Sequence, residues 1–443
     1  MKTTFAALAL LTVLPFAPPA RGEAVKDREG AIRDDKAAME KDARWLYNDI
    51  DAAFAAAEKS GKPLLVVLRC VPCIACSGID SQVLLQEKDL DALLDQFVCL
   101  RLINANALDL ARFQFDYDLS FSVMMFHADG TVLGRYGSWA HQKDAQDKAT
   151  AGLQAALRGA LRLHTAIPGI RANLTGKQGA PMPFQSPVEI PGLAGKYTRN
   201  LDWEGKVVQS CVHCHMIGDA LRNTLRDKGQ PIPDDLIFPQ PPPETVGLGL
   251  EERAALTIAS VTPDTAAARA GFRSGDTLLS LDGQPLISIA DVSWALHRAP
   301  AAGKLLATVR REGKQQTMTL VLTEGWRRQA DITRRVGTWG MRAMATGGLL
   351  LESLPEADRA ALSLPATTLA LRTKHVGQYG KHAAAKNAGW KEGDILVELD
   401  GRHEPLTEGQ LIGHILRQHP PGTKLKATVL RNGTRIPLIL PVQ

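Results

Sequence analysis

The sequence predicts a multidomain chain in which an N-terminal α/β domain is followed by two β-rich modules. Its 443 residues are enough for about three domains. Predicted strands and helices alternate through the first third of the chain, which is typical of an α/β sheet. Residues 270–283 (AGFRSGDTLLSLDG) are matched 118 positions later by residues 388–401 (AGWKEGDILVELDG). This match indicates an internal repeat in the C-terminal half.

The first 22 residues have the pattern of a secretory signal peptide. Lys2 precedes an apolar run, and Ala20-Arg21-Gly22 offers small residues for cleavage. The run is too short to span a bilayer, and no later apolar run in the sequence is long enough. We therefore expect an exported soluble protein, periplasmic or otherwise extracytoplasmic. The net charge of +5 is modest and no compact basic run occurs, so nucleic acid is not an expected partner.

The first domain is expected over residues 23–165. Residues 49–59 predict an amphipathic helix, residues 64–68 (LLVVL) a buried central strand and residues 97–103 a second strand. Residues 123–127 and 131–136 predict a hairpin, because an Asp-Gly pair lies between two extended runs. A last helix is predicted over residues 144–163.

Three cysteines, Cys70, Cys73 and Cys76, follow directly on the predicted central strand. Thiols spaced Cys-x-x-Cys between a strand and a helix are typical of redox sites, because the helix N-terminus stabilises the thiolate. The domain resembles thioredoxin-like proteins over nearly all of this region. The family spacing implies that Cys73 is the nucleophile and Cys76 the resolving thiol. The pair Cys70 and Cys73, a metal site on all three thiols and a structural disulfide stay open as alternatives.

A second cysteine pair lies in Cys211-Val212-His213-Cys214-His215. In an exported protein this is the attachment signature of haem c, with thioethers from Cys211 and Cys214 and with His215 on the iron. The ligand on the opposite face of the iron from His215 could be Met182, His141 or His164, or that face could have no protein ligand. Residues 166–243 are rich in proline and predict a linker rather than a compact cytochrome. A disulfide or a zinc site is the alternative.

The repeat predicts two domains, at residues 244–325 and 343–443. Each copy has a glycine-bounded turn, a strand and an Asp-Gly hairpin, a pattern that resembles bacterial PDZ domains. Gly247-Leu248-Gly249-Leu250 resembles the PDZ carboxylate-binding loop, which implies binding of peptide C-termini beside a groove helix at residues 289–298. The second copy is less regular, and its groove could be open or closed. Residues 326–342 predict a solvated basic connector.

The complete order resembles a bacterial family of exported thioredoxin/PDZ proteins, some of which carry selenocysteine in the thioredoxin motif. The resemblance implies thiol redox chemistry at the triplet. We expect an exported thiol-disulfide oxidoreductase or redox sensor that recruits client proteins by their C-termini and exchanges electrons with a redox partner protein. The alternative is a non-enzymatic scaffold or a haem-containing electron-transfer adaptor. A trypsin-like protease is not expected, because the sequence has no Gly-x-Ser-Gly nucleophile loop.

Overall fold

A five-stranded mixed sheet forms the centre of the N-terminal unit. The computed structural model describes residues 27–69, 88–118, 121–137, 151–251 and 256–443. The predicted signal peptide, the thiols of Cys70, Cys73 and Cys76, and His141 lie outside these residues. The described elements of the unit are α1 (Arg28–Met39), β1 (Trp45–Tyr47), α2 (Ile50–Ser60), β2 (Leu64–Arg69), α3 (Lys88–Leu94), β3 (Val98–Leu102), β4 (Phe121–Phe126), β5 (Val132–Tyr136) and α4 (Ala151–Ile170).

The sheet has the order β1-β3-β2-β4-β5. Strands β1 and β2 run parallel to β3, β4 runs antiparallel to β2, and β5 runs antiparallel to β4. All six residues of β2 are buried, as expected for a strand covered on both faces. Leu65 and Val67 pack into the core on one face, and their neighbours Leu64 and Val66 pack into the core on the other. The prediction of a buried central strand is confirmed.

The helix before this strand has clear end signals. The Asp49 side chain accepts a hydrogen bond from the Ala52 amide at 2.9 Å and so caps the start of α2. Gly61 ends the helix with φ of 68°, which glycine adopts without strain. The predicted hairpin is also confirmed, because β4 and β5 are joined through Asp129 and Gly130.

Residues 171–243, the middle segment, pack closely and do not form the free linker that their proline content predicts. They contain the 3₁₀ turns Arg171–Lys177 and Pro187–Glu189 and the helices α5 (Val207–Ser210), α6 (Cys214–Asp227) and α7 (Asp234–Ile237). Ile190 and Val212 share an apolar cluster with Leu110 of the N-terminal unit. Phe238 is buried in the core of the C-terminal module. The prolines start turns instead of keeping the chain extended.

The first repeat copy builds a module of two small sheets. It contains the 3₁₀ turn Pro243–Val246, β6 (Leu248–Leu250), β7 (Ile258–Val261), α8 (Ala266–Ala270), β8 (Thr277–Leu281), β9 (Gln284–Pro285), α9 (Ile289–Arg298), β10 (Gly303–Arg311) and β11 (Lys314–Leu322). Strands β6 and β7 pair with each other, and the other sheet has the order β11-β10-β8-β9.

The second repeat copy builds a module around one five-stranded sheet, β12-β13-β14-β15-β16. Its elements, with those of the connector, are the 3₁₀ turn Trp326–Gln329, α10 (Thr338–Thr346), β12 (Leu349–Ser353), α11 (Glu356–Ala361), β13 (Leu371–Val376), the 3₁₀ turn Gly380–Ala383, α12 (Ala384–Asn387), β14 (Ile395–Leu399), α13 (Glu408–Gln418), β15 (Lys424–Arg431) and β16 (Thr434–Pro441). Asp282 and Asp400 hold φ near 50° before a glycine, which confirms the two predicted Asp-Gly turns.

The first module docks on the N-terminal unit through α9. Asp291 accepts hydrogen bonds from Lys177 Nζ at 2.5 Å and from the Arg135 amide at 3.0 Å. The Arg135 guanidinium lies 3.7 Å from the ring centroid of Trp294, and Ile287 enters the core of the N-terminal unit. Lys177 and Asp291 are both 1% exposed, so this contact is fully desolvated. The two units are therefore held in one orientation.

The basic connector is largely packed against other parts of the chain, which corrects the prediction that it is solvated, although Arg334 and Trp339 are exposed. Arg327 donates to the carbonyl of His297 at 2.9 Å and so caps the end of α9. Arg335 pairs with Asp116 and Asp118 of the N-terminal unit. The three arginines Arg327, Arg335 and Arg342 are at most 7% exposed. Arginines are buried this far only when each charge has partners, and these partners come from other parts of the chain.

We predict that Arg335→Met lowers the free energy of unfolding by about 3 kcal/mol, because it leaves the buried Asp116 without its arginine and leaves Asp118 with only Arg222. The matched control is Arg372→Met, which breaks an ion pair with the half-exposed Asp358 and should cost less than about 1 kcal/mol. Chemical denaturation of the full chain measures both. Equal effects would contradict a structural role for the Arg335 pairs.

Candidate thiol and peptide sites

The carboxyl ends of β2 and β3 form the edge of the sheet where thiol chemistry is expected. Cys70 follows Arg69, the last residue of β2, directly in the sequence. The triplet itself lies outside the described residues, so its geometry stays a prediction. Among the described residues, no group of three or more Cys, His, Asp or Glu side chains could hold a metal ion.

The segment of residues 211–215 is attached to this same edge of the sheet. The Asn106 side chain, four residues after β3, accepts from the Val212 amide at 2.7 Å and donates to the carbonyl of Ser210 at 2.8 Å. The Cys211 thiol lies 3.6 Å from the carbonyl of Ile103. Asn106 is fully buried. No sequence signal pointed to Asn106, because its partners are about a hundred residues away.

The two thiols of this segment are partly buried against apolar side chains. Cys211 packs against the apolar cluster of Ile32 and Ile103, whereas Cys214 packs against the cluster that contains Leu102. Burial raises the pKa of Cys211 to about 11 and that of Cys214 to about 12. Cys214 opens α6, where the helix dipole favours a thiolate, but desolvation outweighs that effect. Both groups are therefore protonated thiols at neutral pH.

The described residues do not fit covalent haem in this conformation. Haem c needs both thiols to face one macrocycle, yet these thiols are packed in two separate clusters. His215 is half-exposed and lies 3.7 Å from Asp219. His164 contacts the carbonyl of Gly61, at the opposite end of β2 from Cys70, so it cannot reach the segment. Met182 shares a cluster with Met216. Haem attachment stays a prediction that requires both thiols to leave their clusters.

A buried series of charges leads away from His215. Asp219 accepts from Arg222 Nη1 at 3.0 Å, and Arg222 Nη2 lies 3.7 Å from Asp118, which also binds Arg335. Burial opposes ionisation of Asp118, but Arg222 and Arg335 outweigh it and lower its pKa. Burial raises the pKa of Asp116 to about 6 in spite of Arg335. The series joins the middle segment, the N-terminal unit and the connector.

The predicted peptide loop lies at the edge of the first module. Gly247 has φ of 92°, and a Cβ there would lie 2.0 Å from Thr265 Oγ1. Leu248 is buried, and Leu250 packs against the same core. Strand β6 pairs with β7 on one side, and no other described strand pairs with it. Edge strands are the positions at which a bound peptide can add a strand to a sheet.

Gly249 does not have the role that the loop pattern implies. A Cβ at Gly249 would lie 2.3 Å from Ser260 Oγ on β7. A larger residue would therefore disturb the pairing of β6 with β7 before it met a peptide on the outer edge. Leu250, at the end of β6, is the better position for testing peptide binding.

Two family models match this chain. The thioredoxin-like model matches residues 45–128, which include β1 to β4. The PDZ model matches residues 245–322, which include the loop, β6 and α9. The chain combines a thioredoxin-like domain with a PDZ domain. The second module lies outside both matched ranges.

Several periplasmic proteases share part of this sequence. A "probable periplasmic serine endoprotease DegP-like" of Marinomonas sp. is 25% identical over 66% of this chain and 60% of its own length. Periplasmic serine endoprotease DegP of Escherichia coli is 34% identical over 17% of this chain and 16% of its own length. The chain thus spans less than two thirds of these relatives. A structure of the HtrA-type protease AlgW with tripeptide is 16% identical over 42% of this chain and 58% of its own, with a TM-score of 0.21.

We predict that Cys211 and Cys214 react with iodoacetamide at pH 7.5 at least about 100-fold more slowly in the native reduced chain than after denaturation. The reason is the raised pKa of both buried thiols. Cys99 is the internal control, because burial in β3 raises its pKa to about 12. Mass spectrometry of peptides measures each rate. Fast labelling, or covalent haem on chain matured with a haem c system, would contradict the packed arrangement.

Proposed function

We propose that the chain is an exported thiol-disulfide oxidoreductase or redox sensor whose PDZ domain recruits client proteins by their C-termini. The observation that carries the redox part is the position of Cys70, Cys73 and Cys76 directly after β2, the central strand of a thioredoxin-like domain. Cys211 and Cys214 are less suited to that role, because they are partly buried and desolvation raises the pKa of both thiols. The reactive pair is therefore assigned to the triplet, with Cys73 and Cys76 preferred.

The redox step can be written in the reducing direction. The Cys73 thiolate attacks one sulfur of a client disulfide, which forms a mixed disulfide and releases the other client sulfur as a thiolate. Cys76, once deprotonated, then attacks Cys73, releases the second client thiol and leaves a Cys73–Cys76 disulfide. A redox partner protein with a dithiol would reduce this disulfide again. A metal site on the triplet is the alternative for the same residues.

The proposed location is the periplasm or another extracytoplasmic compartment. It is supported by the predicted signal peptide and by relatives whose names include the word periplasmic. None of the helices in the described residues is long and apolar enough to cross a membrane.

A non-enzymatic scaffold is the second candidate function. It is favoured by the buried ion pairs that fix the domains against one another, such as Lys177 with Asp291. In this reading the PDZ domain holds a partner and the triplet is structural. Relatives named as proteases do not favour proteolysis here, because the sequence has no Gly-x-Ser-Gly nucleophile loop.

We predict that Cys76→Ser accumulates mixed disulfides with client proteins, because the resolving attack is lost. Cys73→Ser should accumulate none, and Cys99→Ser is the matched control because this thiol is fully buried. Non-reducing electrophoresis and mass spectrometry after acid quenching detect the adducts. Trapping that depends on Cys70 instead would favour the Cys70–Cys73 pair, and no trapping by any variant would favour the scaffold.

We predict that the full chain binds decapeptides with a free, apolar C-terminal residue and that amidation of the peptide removes most of the binding. Leu250→Asp should weaken binding at least about tenfold, because it puts a charge in the apolar pocket proposed for the last residue of the peptide. Leu306→Asp is the control, since Leu306 is 56% exposed on a strand of the other sheet. Fluorescence anisotropy measures the affinities. Equal affinity for free-acid and amidated peptides would contradict the proposal that the PDZ domain recognises a free C-terminus.

A further inference from the structure

The outer edge of β12 is occupied by side chains of the chain itself. Strand β12 lies at the edge of its sheet and pairs only with β13 among the described strands. Its Leu351 amide donates to Glu408 Oε1 at 2.7 Å, and its Leu349 carbonyl accepts from Thr346 Oγ1 at 3.3 Å. In an edge strand, alternate residues direct both backbone groups away from the neighbouring strand. Leu349 and Leu351 are thus the residues that an added peptide strand would need.

Arg342 holds Glu408 in this position. Its guanidinium donates to the two carboxylate oxygens at 2.9 and 2.6 Å and also to the carbonyl of Thr333 at 2.7 Å. Arg342 and Glu408 are each 2% exposed. Two charge-assisted bonds in a desolvated site fix the carboxylate firmly. The Glu408 carboxylate therefore does not swing away from Leu351 without breaking the ion pair.

The loop between α10 and β12 is also tightly packed, which leaves little space for a peptide there. The amide of Gly348 donates to the carbonyl of Arg342 at 3.0 Å, where it ends α10. A Cβ on Gly348 would lie 2.0 Å from the carbonyl oxygen of His382, so the 3₁₀ turn Gly380–Ala383 presses on the loop. Helix α10 supplies Met341 and Met344 to the core of the module.

The PDZ domain differs at the corresponding place. Helix α9 begins after Ser288, whose hydroxyl donates to the carbonyl of Arg135 in the thioredoxin-like domain and not to β6. Within the described residues, no side chain accepts a hydrogen bond from the backbone of Leu248, Gly249 or Leu250. Among the described residues, the first module therefore has no counterpart of the hydrogen bond from the Leu351 amide to Glu408.

We propose that the second module is a closed copy whose peptide edge is occupied by Glu408 and Arg342, so that peptide recruitment falls to the edge of β6 in the first module. This inference rests on the proposed function, in which both modules are PDZ-like and the first binds C-termini. The occupant of the second edge is the chain's own connector and helix α13. The second module then serves to hold α6, α7 and the connector in place.

Amide exchange at Leu351 in the full chain tests this closure directly. In the wild type this amide should be protected, and in Arg342→Met with Glu408→Ala it should exchange at least about 100-fold faster. The double change removes both charges, so no buried charge is left unpaired. The control is Arg431→Met with Asp394→Ala, which removes another ion pair of the same module without touching Leu351. Fast exchange in the wild type, or slow exchange in the Arg342/Glu408 double variant, overturns the proposal.

Peptide binding provides the second arm. Leu250→Asp in the full chain should weaken binding of free-acid decapeptides at least about tenfold, and added Arg342→Met with Glu408→Ala should restore a site on β12. If the peptides still bind the Leu250→Asp chain and lose binding only when β12 is altered, the edge of β12 in the second module is open. If no peptide binds the wild type, the proposed recruitment fails, but the exchange at Leu351 still decides whether the second edge is closed.

Discussion

The arrangement of this protein depends on one buried carboxylate, that of Asp291. It lies in the first turn of α9 and accepts from Lys177, from the Arg135 amide and from the Ile287 amide. Each donor comes from a different part of the chain. A buried charge adds little net stability, but it is costly to leave unpaired, so wrong orientations of the two domains are penalised. The helix beside the peptide edge is in this way fixed to the thioredoxin-like sheet.

The surroundings of Cys211 and Cys214 disfavour a thiolate at this pair. Cys211 and Cys214 are held by Asn106 against the carboxyl end of the sheet, where burial keeps the protons on both sulfurs. A redox thiol needs the opposite, a partly exposed place that lowers its pKa. The Cys-x-x-Cys spacing alone does not separate these cases. For Cys211 and Cys214 the surroundings of the sulfurs decide, and these include Ile103 and Asn106, about a hundred residues away in sequence.

Elements whose pattern lies within a few neighbouring residues are predicted correctly from the sequence. Features that depend on contacts with residues far away in the sequence are not. The apolar run of β2 and the Asp-Gly turns each carry their own pattern, and they are found as predicted. Strand β1 has only three residues and no measurable period, so it was missed. The connector was expected in solvent because its arginines looked unpaired. Asp118, the partner of Arg335, is 217 positions away. The middle segment is likewise not a free linker, because its Phe238 is buried by the second module, which lies far away in the sequence.

The fixed position of α9 has a consequence for how a client would be presented. Asp291 ties the start of the helix to the thioredoxin-like domain, and Arg327 binds the carbonyls of His297 and Ala299 at its end. A helix held at both ends cannot move outward to widen the groove without breaking a desolvated charge pair. A peptide on β6 therefore meets a preformed edge, which lowers the ordering cost of binding. In the proposed function, a client bound on β6 would be held at a fixed position relative to the thioredoxin-like domain. Specificity for a client disulfide would then depend on that position as well as on the thiols.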